Sequence, residues 1–276
     1  MVSVLRRPVP ALASFVDAVW YIDEPTLVGL ERAIPTGTMQ LVVNLRRDGL
    51  RWLDAEGFTE AHTVTGSGLC GSIARPIGID AADQAWCVGA SFRPGGAVPF
   101  FHPPADALCE PVIGLDSLWG RAGAVLRERL LEQPSPETTL RTLERALLER
   151  VIRADTRHAL SSGRPDPMIE HATAALSSGA AVRHVADQAG LTPSTFNRRF
   201  RSVVGVNPKP FARVQRLQRL LRTIDGDRSD WAAAAADAGY FDQSHLINEF
   251  RALTGVTPAR YRPRSPGEQN HIPIGG

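Results

Sequence analysis

Phe200–Pro208 reads FRSVVGVNP and Phe250–Pro258 reads FRALTGVTP, one pattern written twice with a displacement of fifty residues. Upstream of each, VRHVADQAG (Val182–Gly190) matches WAAAAADAG (Trp231–Gly239) with a displacement of forty-nine. The one-residue difference falls in the intervening turn, LTPS against YFDQS. Self-similarity of this kind marks a repeated supersecondary unit, and two copies are too few for a solenoid.

Each copy reads as helix, tight turn, helix. In the first, Val182, Val185, Ala186 and Ala189 recur at helical spacing. Gly190 ends that helix, Thr192 is placed to cap the next and Pro193 fits its first turn. Phe196 and Phe200 then bury one face. In the second copy Trp231, Ala234, Ala235 and Ala238 form the apolar stripe, Gly239 stops the helix, Asp242 caps its successor, and Leu246 and Phe250 pack. The run Ala232–Ala236 is in register with the first copy, so it reads as ordinary helix. A short glycine turn between two closely approaching helices is the pattern of DNA-binding helix-turn-helix units.

Between the copies, Pro210–Ile224 is expected to be a connector helix with Phe211, Val214, Leu217, Leu220 and Leu221 inward and Arg213, Arg216, Arg219 and Arg222 around it. Charge is distributed in keeping with a polyanion partner for this part only. Residues 168–263 hold 13 Lys+Arg against 8 Asp+Glu, whereas residues 1–167 hold 17 against 20. Lys209 is the single lysine of the chain.

The two units, the connector and the closing GVTPARYR (Gly255–Arg262) resemble the DNA-binding domain of the AraC/XylS family of transcription regulators. AGYFDQSHLINEFRALTGVTPARYR is similar to that family's signature over most positions. It departs at Leu246, where the family often has phenylalanine, and at Asn248–Glu249, where a basic residue is common. The resemblance covers about residues 168–263. It implies double-stranded DNA as partner, read in two adjacent major grooves, with RNA polymerase as a further partner and a homodimer as the working state. The implied base readers are Ser194, Thr195, Asn197 and Arg198 in the first unit, and Gln243, Ser244, His245, Ile247 and Asn248 in the second. Arg198 has the donor geometry for guanine O6 and N7, and Asn197 or Gln243 for adenine N6 and N7. Arg201 and Arg251, further along, suit phosphate.

The preceding residues read as short strands broken by turns: AVWYID, MQLVVNL, LRWLD, HTVTG and WCVGASF, between Trp20 and Phe92 and just before. QLVVNLRRDGLRWLD has the form of a hairpin with Asp48–Gly49 at its turn. Such strands predict a sandwich or barrel. Leu115–Arg153 then reads as two helices, one with Leu118, Val125, Leu126, Leu130 and Leu131, the other with Leu140, Leu143, Leu147, Leu148 and Val151. The expected architecture is thus α+β in two domains: a β-rich, barrel or cupin-like unit with a helical pair over residues 1–160, a linker over 161–167, an all-α double helix-turn-helix domain over 168–263, and a flexible tail over 264–276.

Related regulators carry a cupin-like sensor at this place, and the PTG turn (Pro35–Gly37) and VGASFRPGG segment are similar to variant sensor domains. A small-molecule effector is the expected ligand, with Trp20, Tyr21, Met39, Trp52, Trp86 and Phe92 as candidate pocket residues; plain core packing is the other reading of the same aromatics. The alternative for the whole domain is a ligand-independent dimerisation or protein-interaction module. His62 and His102 are isolated and lack cupin metal spacing, so neither metal nor cofactor is expected. Cys70, Cys87 and Cys109 form no CxxC pair and sit in no nucleophile motif, which speaks for free thiols in a reducing cytoplasm and against an enzyme. No apolar run approaches the ~20 residues of a membrane span.

Overall fold

The computed structural model describes residues 2–54, 57–101, 103–108, 110–157, 166–224, 231–265 and 267–275. His102, Cys109 and most of the expected linker (161–165) lie outside them.

The segment Gln40–Asn44 explains the layering of the N-terminal domain. Its continuous apolar run, Leu41-Val42-Val43, is what a strand buried on both faces requires. Leu41 and Val43 pack with Val19, Tyr21, Val88 and Ala90 on one side, whereas Val42 packs with Trp52, Ile77, Ile79 and Cys87 on the other. The strands are β1 (Val2–Arg6), β2 (Val16–Asp23), β3 (Leu30–Ala33), β4 (Gln40–Asn44), β5 (Leu50–Leu53), β6 (Ala61–Val64), β7 (Ser67–Cys70), β8 (Ile77–Asp80), β9 (Trp86–Phe92) and β10 (Val112–Gly114). One sheet has the order β1-β2-β9-β4-β7-β10. The second contains β3-β8-β5-β6. Both are antiparallel. They are two facing ladders rather than one closed ring of strands, and the first sheet is the middle layer.

Helices cover its outer face: α1 (Leu115–Trp119), α2 (Arg121–Leu131) and α3 (Pro136–Arg157). Gly120, at φ 60°, breaks what the sequence pattern reads as one helix into α1 and α2. Leu140, Leu143 and Leu147 of α3 are fully buried against the sheet. Glu144, also buried, accepts two hydrogen bonds from the Arg6 guanidinium (3.1 and 2.8 Å) and one from the Val9 amide (2.8 Å), tying β1 to α3.

The expected hairpin around Asp48–Gly49 is not formed. β4 pairs with β7 and β9, while β5 pairs with β6 and β8 in the other sheet. The turn is instead a corner between sheets. Asn44 Oδ1 accepts from the amides of Arg46 and Arg47, its Nδ2 donates to the Gly49 carbonyl, and Asp48 accepts from the Gly66 amide. The hairpin of this region is β5–β6, with Trp52 opposite His62 and their rings stacked at 4.0 Å.

The C-terminal domain comprises α4 (Pro167–Ser177), α5 (Val182–Gln188), α6 (Pro193–Val204), α7 (Pro208–Thr223), α8 (Trp231–Ala238) and α9 (Gln243–Thr254). Residues beyond it are not a free tail. β11 (His271–Pro273) joins the second sheet beside β3, with His271 opposite Ala33 and Pro273 opposite Glu31. The expected flexibility of residues 264–276 gives way to packing: Ile272 is buried at 2% exposure and Arg264 bonds Glu31 at 2.8 Å, which fixes the segment.

The domains meet at the two glycine turns singled out in the sequence. Gly37, at φ 76°, lies against Phe211 and Gln215 of α7, and Gly95, at φ 80°, lies against Val203 of α6. A Cβ at Gly37 would stand 2.7 Å from Gln215 Nε2. Gln215 and Gln218 donate to the carbonyls of Thr36 and Pro35, each at 2.9 Å. Gly37→Ala is therefore expected to cost about 1–3 kcal/mol, from left-handed strain and the clash together. Gly267→Ala, where no atom lies within 4 Å of the added carbon and φ is not left-handed, is expected to leave the thermal midpoint unchanged. Equal midpoints for the two variants in thermal denaturation would contradict this interface.

Candidate nucleic-acid interface

Local chemistry sets both helix-turn-helix units as the sequence requires. Thr192 Oγ1 caps α6 by accepting from the Thr195 amide (3.3 Å), and Asp242 caps α9 by accepting from the His245 amide (2.7 Å). Gly190 and Gly239 hold the left-handed turns, at φ 64° and 84°. α6 and α9 both span twelve residues and are displaced by fifty, so the extra residue of the second unit sits in its turn. Gly205 and Gly255 close the two helices in the left-handed conformation, the latter through the Thr254 hydroxyl as well.

Burial divides α6 and α9 by face. Phe196, Phe200 and Val204 are inward, as are Leu246, Phe250 and Leu253. Ser194, Asn197, Arg198 and Arg201 are exposed on α6, while Thr195 is half-buried and donates its amide to the cap. On α9, Gln243, Ser244, Ile247, Asn248 and Arg251 are exposed. His245 is half-buried: its Nδ1 accepts from the Phe241 amide (3.3 Å), and its Nε2 stands 3.6 Å from Glu249. Two residues the sequence reading did not single out as readers share this surface. Phe241, just before the cap, is 91% exposed, and Lys209 lies exposed at the start of α7 beside the groove between the units.

α7 is the common wall of both units. Phe211 belongs to the first unit's core with Phe196 and Phe200, its ring 5.4 Å from that of Phe200. Val214, Leu217, Leu220 and Leu221 belong to the second, with Leu246 and Phe250. Three of its arginines, Arg213, Arg216 and Arg219, bond to neighbouring helices, while Arg222 is exposed. Arg213 and Arg216 donate to the two oxygens of Glu249, at 3.0 and 3.1 Å, and Arg216 also stacks over Tyr240. Arg219 reaches the carbonyls of Ser177 on α4 and Ala238 on α8. Burial pushes the Arg219 guanidinium below its ordinary value and the Tyr240 phenol above its own. Glu249 is 6% exposed, so the residue that departs from the family pattern is an internal clasp.

Of the six aromatic and sulfur residues proposed for a pocket, Trp20 lines a cavity of about 310 Å³ between the sheets. Tyr21 accepts a hydrogen bond from the Trp86 indole (2.7 Å) on the opposite face of the first sheet. Phe92 is enclosed by Phe100 and Phe101, Met39 packs towards Gly205, and Trp52 stacks on His62. Burial raises the Cys70 thiol to about 12 and pushes the Cys87 thiol up as well, so neither is a thiolate at neutral pH.

Removing the clasp has a predictable cost. Glu249→Ala leaves two arginines without their carboxylate and is expected to lower stability by about 1–3 kcal/mol. It is also expected to weaken DNA binding although Glu249 does not face solvent. Full stability by denaturant titration, together with wild-type DNA affinity, would rule out the clasp.

The C-terminal match is to known DNA-binding architecture. Residues 185–264 match the helix-turn-helix domain family, and residues 6–113 match a domain of unknown function, DUF6597. A Streptomyces lividans protein described as an AraC-like transcription regulator is 27% identical over 175 residues. That match covers 59% of this chain and 56% of the relative, so the chain spans about half the relative's length. Among solved structures, ToxT from Vibrio cholerae is similar at 8% identity and a TM-score of 0.47, over 95% of this chain and 98% of that one. Its unsaturated-fatty-acid-bound form gives 8% and 0.45, over 94% of each. The C-terminal third of the chain is thus similar to helix-turn-helix domains, and residues 6–113 before it are similar to DUF6597.

Proposed function

We propose that the chain is a sequence-specific transcription regulator whose α6 and α9 enter adjacent major grooves of double-stranded DNA, and whose N-terminal domain binds a small-molecule effector. The observation that carries the first part is the pair of capped helices with buried phenylalanines and solvent-facing Ser194, Asn197, Arg198, Gln243, Ser244 and Asn248. Successive major grooves on one face of B-DNA are about 34 Å apart, and a single rigid helix, α7, sets the spacing of the two readers. Arg198 is the guanine reader of the first unit, while Arg201, Arg251 and Lys209 hold phosphate. Phe241 supplies an apolar face of the kind that meets a thymine methyl group. His245, turned towards Glu249, orients the start of α9 besides contacting DNA. Dimerisation and contact with RNA polymerase belong to the same reading, as does cytoplasmic placement. Among the described residues no helix is long and apolar enough to cross a membrane.

Selection of bound sequences from a random DNA pool, followed by fluorescence-anisotropy titration, tests the assignment. Arg198→Ala is expected to lose roughly 1–3 kcal/mol at one base pair and to relax preference there. Arg201→Ala is expected to weaken all sequences alike and to reduce the salt slope by about one. An absence of any selected motif, or identical behaviour of the two variants, would overturn it.

A further inference from the structure

The cavity between the sheets has walls from both: Trp20, Ile22, Val42 and Val112 from the first, Ile77 and Ile79 from the second. Its roof is a different part of the chain. Arg264 and Gly267–His271, from the C-terminal tail, line the same space with the turn Ile34–Thr36. The tail is firmly seated there. Beyond the β11–β3 ladder, the Ile34 amide donates to the Asn270 carbonyl (3.0 Å) and the Ile274 amide to the Leu30 carbonyl (2.8 Å). Arg264 binds both Glu268 oxygens and Glu31, and His271 stands 3.3 Å from Glu31. The roof also touches the reader. Gln218 of α7 donates to Asn270 Oδ1 (2.8 Å), Tyr261 donates to the Gln269 carbonyl, and Ile272 belongs to the core of the second helix-turn-helix unit.

We propose that this cavity is the effector site, that its ligand is a neutral, mostly apolar small molecule, and that the C-terminal tail is part of the site and its link to α7. The inference rests on the regulator reading given above. Size and charge define the ligand class. A space of about 310 Å³ is at the small end of ligand pockets (~300–1,000 Å³) and takes about ten to fifteen non-hydrogen atoms. The rim cation Arg264 is already held by Glu31 and Glu268, so an anion entering there finds no free counter-charge, and the sheet walls of Ile22, Val42, Ile77 and Ile79 offer none to an ion of either sign. Because the ligand touches residues of the docked tail, it stabilises the docked state over the released one, and that difference in contacts is what allows it to act on the connector. Ligand and tail docking are therefore mutually reinforcing.

The test uses 2-naphthol, a neutral bicyclic alcohol, with naphthalene-2-sulfonate and a naphthylmethylammonium salt as charged counterparts. Isothermal titration of the full chain is expected to give one site for 2-naphthol, at least tenfold tighter than either ion, and slower amide hydrogen exchange at Ile34 and Ile274. A chain ending at Pro263 is expected to bind at least tenfold more weakly. Ile22→Trp, which fills the cavity and leaves the tail in place, is expected to lose binding while keeping exchange protection of β11. Undiminished binding by the shortened chain or by Ile22→Trp, equal affinity for the ions, or faster exchange on binding would each overturn the proposal, as would no binding of 2-naphthol by the full chain. DNA binding measured on the same full chain separates the failures. Its persistence without probe binding removes the effector site alone, whereas its absence removes the regulator reading.

Discussion

Both helix-turn-helix units depend on one helix, α7, whose apolar face is divided between two cores. Phe211 closes the first unit against Phe196 and Phe200, and Leu217 and Leu221 close the second against Leu246 and Phe250. The first helix of each unit is short, seven residues in α5 and eight in the alanine-rich α8, so much of each core is supplied by α7. Sharing a wall makes the units interdependent, and it fixes the angle and distance between α6 and α9. Polar chemistry then sharpens the arrangement. Glu249 spends its whole carboxylate on Arg213 and Arg216, and Arg219 stitches the ends of α4 and α8 across α7. Buried charge of this kind is retained where it sets a unique geometry more than where it adds stability.

The same helix also receives the N-terminal domain. Gln215 and Gln218 project from α7 to the Pro35–Gly37 turn and to Asn270 of the tail, so the reader, the β-sandwich and the tail converge on two consecutive turns of helix. Displacement of any one of the three strains the others. That convergence gives a physical path from a sheet cavity to the spacing of the two helix-turn-helix units, carried by hydrogen bonds to backbone carbonyls and by Ile34 and Ile272 within the second unit's core.

The two helix-turn-helix units were legible in the sequence because their signals are local. Caps, glycine stops and helical spacing all act within a few residues, and the repeat displayed each twice. The failures have a common cause in contacts distant along the chain. Asp48–Gly49 has hairpin chemistry, but no turn specifies whether the following strand stays in the same sheet, and here β5 crosses to the other. Glu31 and Arg264 are joined over 233 positions, so a segment rich in proline and glycine gave no sign of becoming a strand. Glu249 stood out as a departure from the family pattern; its explanation lies 33 and 36 positions away on α7. Among the pocket candidates, alternation in β2 separates Trp20 from Tyr21, but which face holds a cavity depends on the second sheet, invisible from one strand.

The central claim is that α7 holds two readers at a fixed spacing. Hydroxyl-radical footprinting of the full chain on its selected DNA site tests this most directly. Two protected segments on one face, centred about one helical turn (~10 bp) apart, are the predicted result. A single protected segment, unchanged when the α9 residues Gln243 and Asn248 are replaced by alanine, would contradict it.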